Sequence, residues 1–268
     1  MAEDLARFQD PRASRFFMRV AVASDRRGGL GHRRRLVAGL SGRVVEVGAG
    51  HGPNFALYPP QVTEVIAVEP DASMRAAAAG AAASAGVPVS VVAGHGDSLP
   101  LGDGEVDAVV FSLVLCMVPE QARTLAEAVR VLRRGGEVRF YEHVRSPGRV
   151  RGLLQDAVTP LVAWRVGCHP NRDTVAAVQA AGLGIDGLSV FGFGPPPVKL
   201  RHVIGTAVKP LRVQRLVHDV SAEAPCAGFH KPSPRGPVMP PIPARLVTVV
   251  AMASCWVNRP KLGFRVRG

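Results

Sequence analysis

Val44-Val45-Glu46-Val47-Gly48-Ala49-Gly50-His51-Gly52 runs a short β-branched stretch straight into a glycine-rich turn, and the fold follows from it. A run of this kind, bounded by turn residues, reads as a buried parallel strand. The glycines after it let the backbone turn sharply and approach a ligand with no Cβ in the way. In an open parallel sheet, ligands sit beyond the carboxyl ends of the strands. Alone, the loop is also compatible with a tight strand-to-helix turn.

The next strand ends in Ile66-Ala67-Val68-Glu69-Pro70. An acid about twenty residues after such glycines can accept hydrogen bonds from ribose hydroxyls. A dinucleotide fold makes the same demand, but its third glycine falls where this chain has Pro53. Proline fills the space needed for close helix–strand packing and has no amide to offer a pyrophosphate. The nicotinamide reading therefore falls behind.

Further along, β-like runs at Arg43–Val47, Val62–Val68, Val87–Val92, Val106–Leu113 and Glu137–His143 alternate with helical stretches. One helix is expected over Asp71–Ala85 with Asp71 as its cap. Another is expected to open at Pro119 and to close at Gly135-Gly136. Arg145–Cys168 reads as an amphipathic helical insertion over the carboxyl edge of the sheet. A helix over Asn171–Ala181 and strands over Ile185–Phe193 and Lys199–Val208, joined by a rigid Pro195-Pro196-Pro197 loop, complete the domain. The expected fold is α/β: a Rossmann-like, open, mostly parallel seven-stranded sheet flanked by helices.

The chain of 268 residues thus divides into a helical extension at 1–40, a core domain at 41–209 with an insertion near 145–168, and a tail at 210–268. Eight of the 23 prolines lie between Pro225 and Pro260, so the tail is expected to be disordered. The net charge of +12 looks like a nucleic-acid binder until it is mapped. Residues 1–40 carry nine basic and four acidic side chains, residues 209–268 ten and two, and residues 41–208 fourteen and fifteen. The core is nearly neutral, and aromatic residues are not interleaved with the basic ones, so no nucleic-acid partner is expected. The basic ends allow peripheral contact with an anionic membrane. Arg33-Arg34-Arg35 reads as the solvated face of a helix capping the sheet edge.

Cys116, Cys168, Cys226 and Cys255 are widely spaced, with no paired metal-ligand spacing. Neither a metal site nor a disulfide framework is expected, and a cytoplasmic setting fits. The apolar run Phe16–Ala23 is interrupted by Arg19, and Leu246–Val257 falls short of the roughly 20 residues that span a bilayer.

Glu46–Gly52, Ala67–Pro70, Gly94–Leu101, Asp107–Val118 and Val131–Gly136 resemble, in order, successive motifs of class I S-adenosylmethionine-dependent methyltransferases, of the methyltransferase type 11 kind. Asn54-Phe55, Tyr58-Pro59-Pro60, Leu113-Val114-Leu115-Cys116, Glu142-His143-Val144 and Gly167-Cys168 look like a narrower group, the methyltransferase-like thiol methyltransferases and their bacterial relatives. The resemblance covers Phe16 to Lys209.

It implies an enzyme with S-adenosylmethionine as cofactor. Gly48, Ala49 and Gly50 are implied to face its methionine end, and Glu46 to hold the amino group from beneath. Glu69 is implied to take both ribose hydroxyls, with Pro70 and Met74 against the adenine. Gly96 and Asp97 are implied to border the adenine edge, and Ser112 and Leu113 to floor the sulfonium. One departure is His95, where the commonest form of the adenine motif has aspartate.

Methyl transfer from a sulfonium needs chiefly alignment and exclusion of water. A thiol acceptor must also lose its proton, because the thiolate reacts. His143 is the candidate to take it, ahead of His51 and His169, and each histidine has an alternative reading as a packing residue. Cys116, Trp164 and His169 are candidates for the acceptor pocket, roofed by the Arg149–Trp164 segment and the N-terminal helix. A small apolar acceptor (thiol, quinol-like or lipid-like) is expected. A cofactor-binding protein without catalysis is the alternative, and behind it stands a basic nucleic-acid-associated protein acting through its ends.

Overall fold

The computed structural model describes residues 5–194 and 199–211. The tail beyond 211 and the Pro195–Pro197 loop lie outside the described residues. Among the described residues, seven strands form one sheet: β1 (Gly42–Val47), β2 (Val62–Glu69), β3 (Val89–Ala93), β4 (Val106–Ser112), β5 (Leu132–His143), β6 (Gly184–Phe193) and β7 (Leu200–Val208). Their order is β3-β2-β1-β4-β5-β7-β6. The first five run parallel, and β7 is antiparallel to both β5 and β6.

Among the described residues, six α-helices accompany the sheet: α1 (Pro11–Ser24), α2 (Leu30–Val37), α3 (Ala72–Ala82), α4 (Gln121–Val131), α5 (Arg149–Val166) and α6 (Thr174–Ala180). A π-helical turn at Asp25–Gly29 joins α1 to α2, and Gly28 bends it with φ 111°. The period-2 alternation of the central strands places apolar layers on both faces, as a doubly covered parallel sheet requires. Val45, Val47, Val109 and Phe111 pack on one side with Leu125, Ala128 and Val131 of α4. Val44, Ala108 and Val110 pack on the other with Leu36 and Val37 of α2 and with Leu40 and Phe55. The N-terminal extension thus supplies core.

Asp71 caps α3, its side chain accepting from the Met74 amide at 2.9 Å. The segment after α4 departs from expectation. The helix begins at Gln121 rather than Pro119 and ends at Val131, and β5 starts at Leu132 rather than Glu137. The glycines serve a strand irregularity instead of a helix end. Gly135 has φ 75°, and a Cβ on Gly136 would stand 2.7 Å from the Asp107 carbonyl oxygen.

The insertion is also helical, but its orientation is the reverse of that expected. Gln155 donates to the carbonyls of Val144 and Pro170, and Asp156 pairs with Arg145 and Asn171, so these polar side chains hold α5 to the domain. The apolar stripe of Val150, Leu153, Leu154, Val158, Leu161 and Trp164 faces outward. Among the described residues, no helix is long and apolar enough to cross a membrane.

Candidate functional site

β1 delivers its chain to the carboxyl edge, where Gly48, Gly50 and Gly52 have φ of 65°, 59° and 81°. Only glycine takes this region without strain. The amides of Gly48 and Ala49 bond to the Val68 carbonyl at 2.8 and 3.2 Å, pinning the loop to the end of β2. A Cβ on Gly48 would lie 2.7 Å from Val114, whereas one on Gly50 would meet nothing within 4 Å. The loop is therefore tightly backed at Gly48 and presents bare backbone outward at Gly50.

Glu69, at the end of β2, is buried, and its carboxylate accepts from the Gly50 amide (2.8 Å) and the Asp71 amide (2.9 Å). Burial raises its pKa, opposed by those two amides. Glu46 is more enclosed still. It accepts from Asn54 Nδ2 and Tyr58 Oη, both at 2.7 Å. Desolvation raises its pKa to about 6, against the pull of these hydrogen bonds and of Arg33.

Arg33 is not solvated, contrary to the reading of the triple arginine. Its side chain is 6% exposed and pairs with Asp25 at 2.9 Å. It also donates to Asn54 Oδ1 (3.2 Å) and Ser112 Oγ (3.1 Å). Three consecutive helical residues point about 100° apart, so a run of arginines on a packed helix sends one inward. No pattern in the sequence says which. Asn54 and Tyr58 stand in the stretches that carry the narrower resemblance, but their bonds to Glu46 depend on the turn between them.

These groups line a cavity of about 1040 Å³ above the carboxyl edge. Its wall includes Glu46, Gly48, Ala49, Gly50, His51, Glu69, Pro70, Met74, Ser112, Leu113 and His143. Leu113 has φ 60°, the one positive-φ residue other than glycine among the described residues. Its amide bonds to the Tyr141 carbonyl at 2.7 Å. Such strain persists where the surroundings over-determine it, commonly at ligand sites. Apolar side chains of α1, among them Phe17, Val20 and Ala21, line the outer side together with Met117, Val118 and Phe193.

Several expected members stand elsewhere. Gly96 and Asp97 are not in the wall: Gly96 packs against Thr124, and Asp97 accepts from Thr124 Oγ1 at 2.7 Å. Trp164 is 81% exposed on the outward stripe of α5, which contributes nothing to the cavity roof. His169 also lies off the wall, its Nδ1 buried without a hydrogen-bond partner and its amide bonded to the Cys116 carbonyl. Cys116 is fully buried behind the wall rather than in it.

The Cys116 sulfur lies 3.4 Å from Nδ1 of His143, and Cys168 lies 3.5 Å from the same atom. The interaction between the two thiols lowers the pKa of Cys168, helped by His143, and raises that of Cys116. Glu142, unassigned by the sequence reading, is fully buried and accepts from the amides of Val114, Leu115 and Cys116 at 2.9, 2.9 and 3.0 Å. It thereby holds the turn after β4.

Five parallel strands with a reversed β7 inserted beside β5, a glycine loop after β1 and a buried acid after β2 define a class I S-adenosylmethionine-dependent methyltransferase. The methyltransferase-domain family matches residues 45–140. Thiol S-methyltransferase TMT1B of Homo sapiens is 33% identical over 186 residues, covering 65% of this chain and 74% of the relative. The Rattus norvegicus protein of the same name is 32% identical over 177 residues, covering 62% and 70%. Among solved structures, a methyltransferase of Bacillus halodurans superposes with TM-score 0.58 at 16% identity, covering 68% of this chain and 98% of that one. The chain belongs to the methyltransferase family that includes these thiol S-methyltransferases.

Proposed function

We propose that this methyltransferase moves the methyl group of S-adenosylmethionine to a small apolar thiol. The single observation behind this reading is the division of the cavity. Its inner end carries bare glycine-loop backbone and two buried carboxylates, and its outer end is walled by apolar side chains of α1 and the turn after β4. The inner end fits the polar cofactor. Glu69 can take ribose hydroxyls, since each of its oxygens has one amide partner and a spare acceptor site. Glu46, enclosed beside the loop, suits the cofactor's ammonium, which would offset the cost of keeping that carboxylate charged. Gly48, Ala49 and Gly50 would face the methionine portion, Pro70 and Met74 the adenine, and Ser112 and Leu113 the sulfonium.

When bound, the cofactor supplies an electrophilic methyl carbon, and the acceptor's new sulfur–carbon bond forms as the cofactor's own breaks. The protein's part is to align the sulfur, exclude water and keep the acceptor as thiolate. α1 and Phe193 contribute apolar wall that would limit water around the acceptor. His143, in the wall at the end of β5, is the side chain proposed to secure ionisation of the thiol. The thiol S-methyltransferase relatives support the acceptor class.

The test is calorimetric titration of the full chain with S-adenosylmethionine and, as control, NAD. Methyl transfer to small thiols, phenols and long-chain amines is then measured by mass spectrometry. Saturable binding of the first nucleotide alone, with thioether formed from apolar thiols in preference to the rest, is the expected result. Turnover on phenols or amines with none on thiols would overturn the acceptor class.

A further inference from the structure

The spacing of the cysteines speaks against a metal site, yet folding gathers three ligand side chains from three separate places. Cys116 stands in the turn after β4, His143 ends β5, and Cys168 follows Gly167 at the end of α5. Their ligand atoms all lie within 4.8 Å of one another. We propose that Cys116, His143 and Cys168 hold a soft divalent metal ion of the zinc class, with one coordination position open to the sulfur of the acceptor.

Geometry is the first support. Tetrahedral zinc with ordinary bond lengths sets a sulfur–nitrogen edge of about 3.6 Å. The two such edges here are 3.4 and 3.5 Å. The second support is a scaffold that positions the ligands by backbone contacts. Glu142 holds the amides of Val114, Leu115 and Cys116, the amide of His169 bonds to the Cys116 carbonyl at 2.7 Å, and Arg172 donates to the carbonyls of Leu115 and Val118. Pre-oriented ligands reduce the ordering cost of binding a metal.

The third support is the ligand chemistry. Thiolate and imidazole together suit zinc and its neighbours, and three protein ligands are the pattern that leaves a fourth position free. The cluster adjoins the cavity, since His143, Met117 and Val118 are all in its wall. A disulfide would use only two of the three groups and would need an oxidant.

The occupant of the open position rests on the thiol reading above, whereas the metal site does not. On coordination the acceptor's S–H bond breaks as its sulfur–metal bond forms, and the proton leaves to water. The sulfur's lone pair then forms the new bond to methyl, and the pair of the broken sulfur–carbon bond stays on the cofactor's sulfur.

The experiment uses the full chain with Cys226→Ser and Cys255→Ser, stripped by chelator and reloaded with Co²⁺. One cobalt per chain is expected, with sulfur-to-metal charge transfer, visible bands of a tetrahedral site and a spectral shift on adding 2-mercaptoethanol. Cys116→Ser, Cys168→Ser and His143→Gln should each weaken cobalt retention at least tenfold. Binding of S-adenosylmethionine by each variant reports whether it is folded, so any variant that keeps this binding and loses cobalt supports the site. A protein that binds the nucleotide but retains no cobalt overturns the proposal, as does a mass two hydrogens short that marks a Cys116–Cys168 disulfide. Cobalt unmoved by thiol overturns the open position. Full thiol turnover by chelated protein overturns the metal's part in the reaction while leaving the thiol reading standing.

Discussion

Glu46 stands next to last in β1 with its carboxylate fully enclosed between Asn54 and Tyr58, and its pKa rises to about 6. In the unfolded chain the same group titrates near its ordinary value of about 4.3. The folded state therefore binds this proton more tightly. Its contribution to stability is fully present below the unfolded value and is lost as pH rises through about 6. The loss amounts to about 2 kcal/mol at neutral pH. Glu46→Gln should remove that slope, so the variant-minus-wild-type difference in urea stability should grow in the variant's favour between pH 4 and pH 7. A difference independent of pH would show that Glu46 is not desolvated as described. Glu69 tests the proposed cofactor contact: Glu69→Ala should weaken S-adenosylmethionine binding by about 1–3 kcal/mol in calorimetry, with circular dichroism unchanged. Equal affinity would remove Glu69 from the site.

The joint between α1 and α2 carries more than a connection. Arg33 links Asp25 of that joint to Asn54 after the glycine loop and to Ser112 at the end of β4. The element that roofs the cavity and the elements that floor it therefore share one guanidinium. Removing one partner of a largely buried pair leaves the other uncompensated, so Arg33→Met should cost about 3 kcal/mol in denaturation. It should also weaken cofactor binding, because Asn54 in turn orients Glu46. At the loop itself, Gly48→Ala combines a left-handed backbone with a Cβ 2.7 Å from Val114. Strain of about 1–2 kcal/mol and a displaced loop are expected, read as lower melting temperature and lost calorimetric binding. Retained binding at wild-type affinity would mean the loop tolerates displacement.

Across the molecule, the apolar stripe of α5 faces outward while α1 lines the cavity. Trp164→Ser should accordingly change stability by less than about 0.5 kcal/mol. It should also leave KM for the acceptor unchanged, and a rise in KM would return α5 to the acceptor site. The excess of basic side chains lies in residues 1–40 and 209–268 of the sequence, before β1 and after β7 in chain order.

The sheet was legible in the chain because its signals are local. Val44–Gly52 states a buried strand and the turn that follows, Ala67–Pro70 repeats the statement one strand later, and Asp71 announces its helix. Glycines needing positive φ and acids at strand ends are properties of single positions, so the glycine turn and the buried acid of the candidate site were legible too. What the sequence by itself determined was therefore the fold class, the cofactor and the turn that follows β1. Tertiary structure alone decided which arginine of three is buried, which side of α5 faces the domain, and that Cys116, His143 and Cys168 meet. Each depends on the rotation of a helix or on the convergence of strand ends distant in sequence. Periodicity records that a face is apolar or basic, but burial of that face is set by what the rest of the chain brings against it.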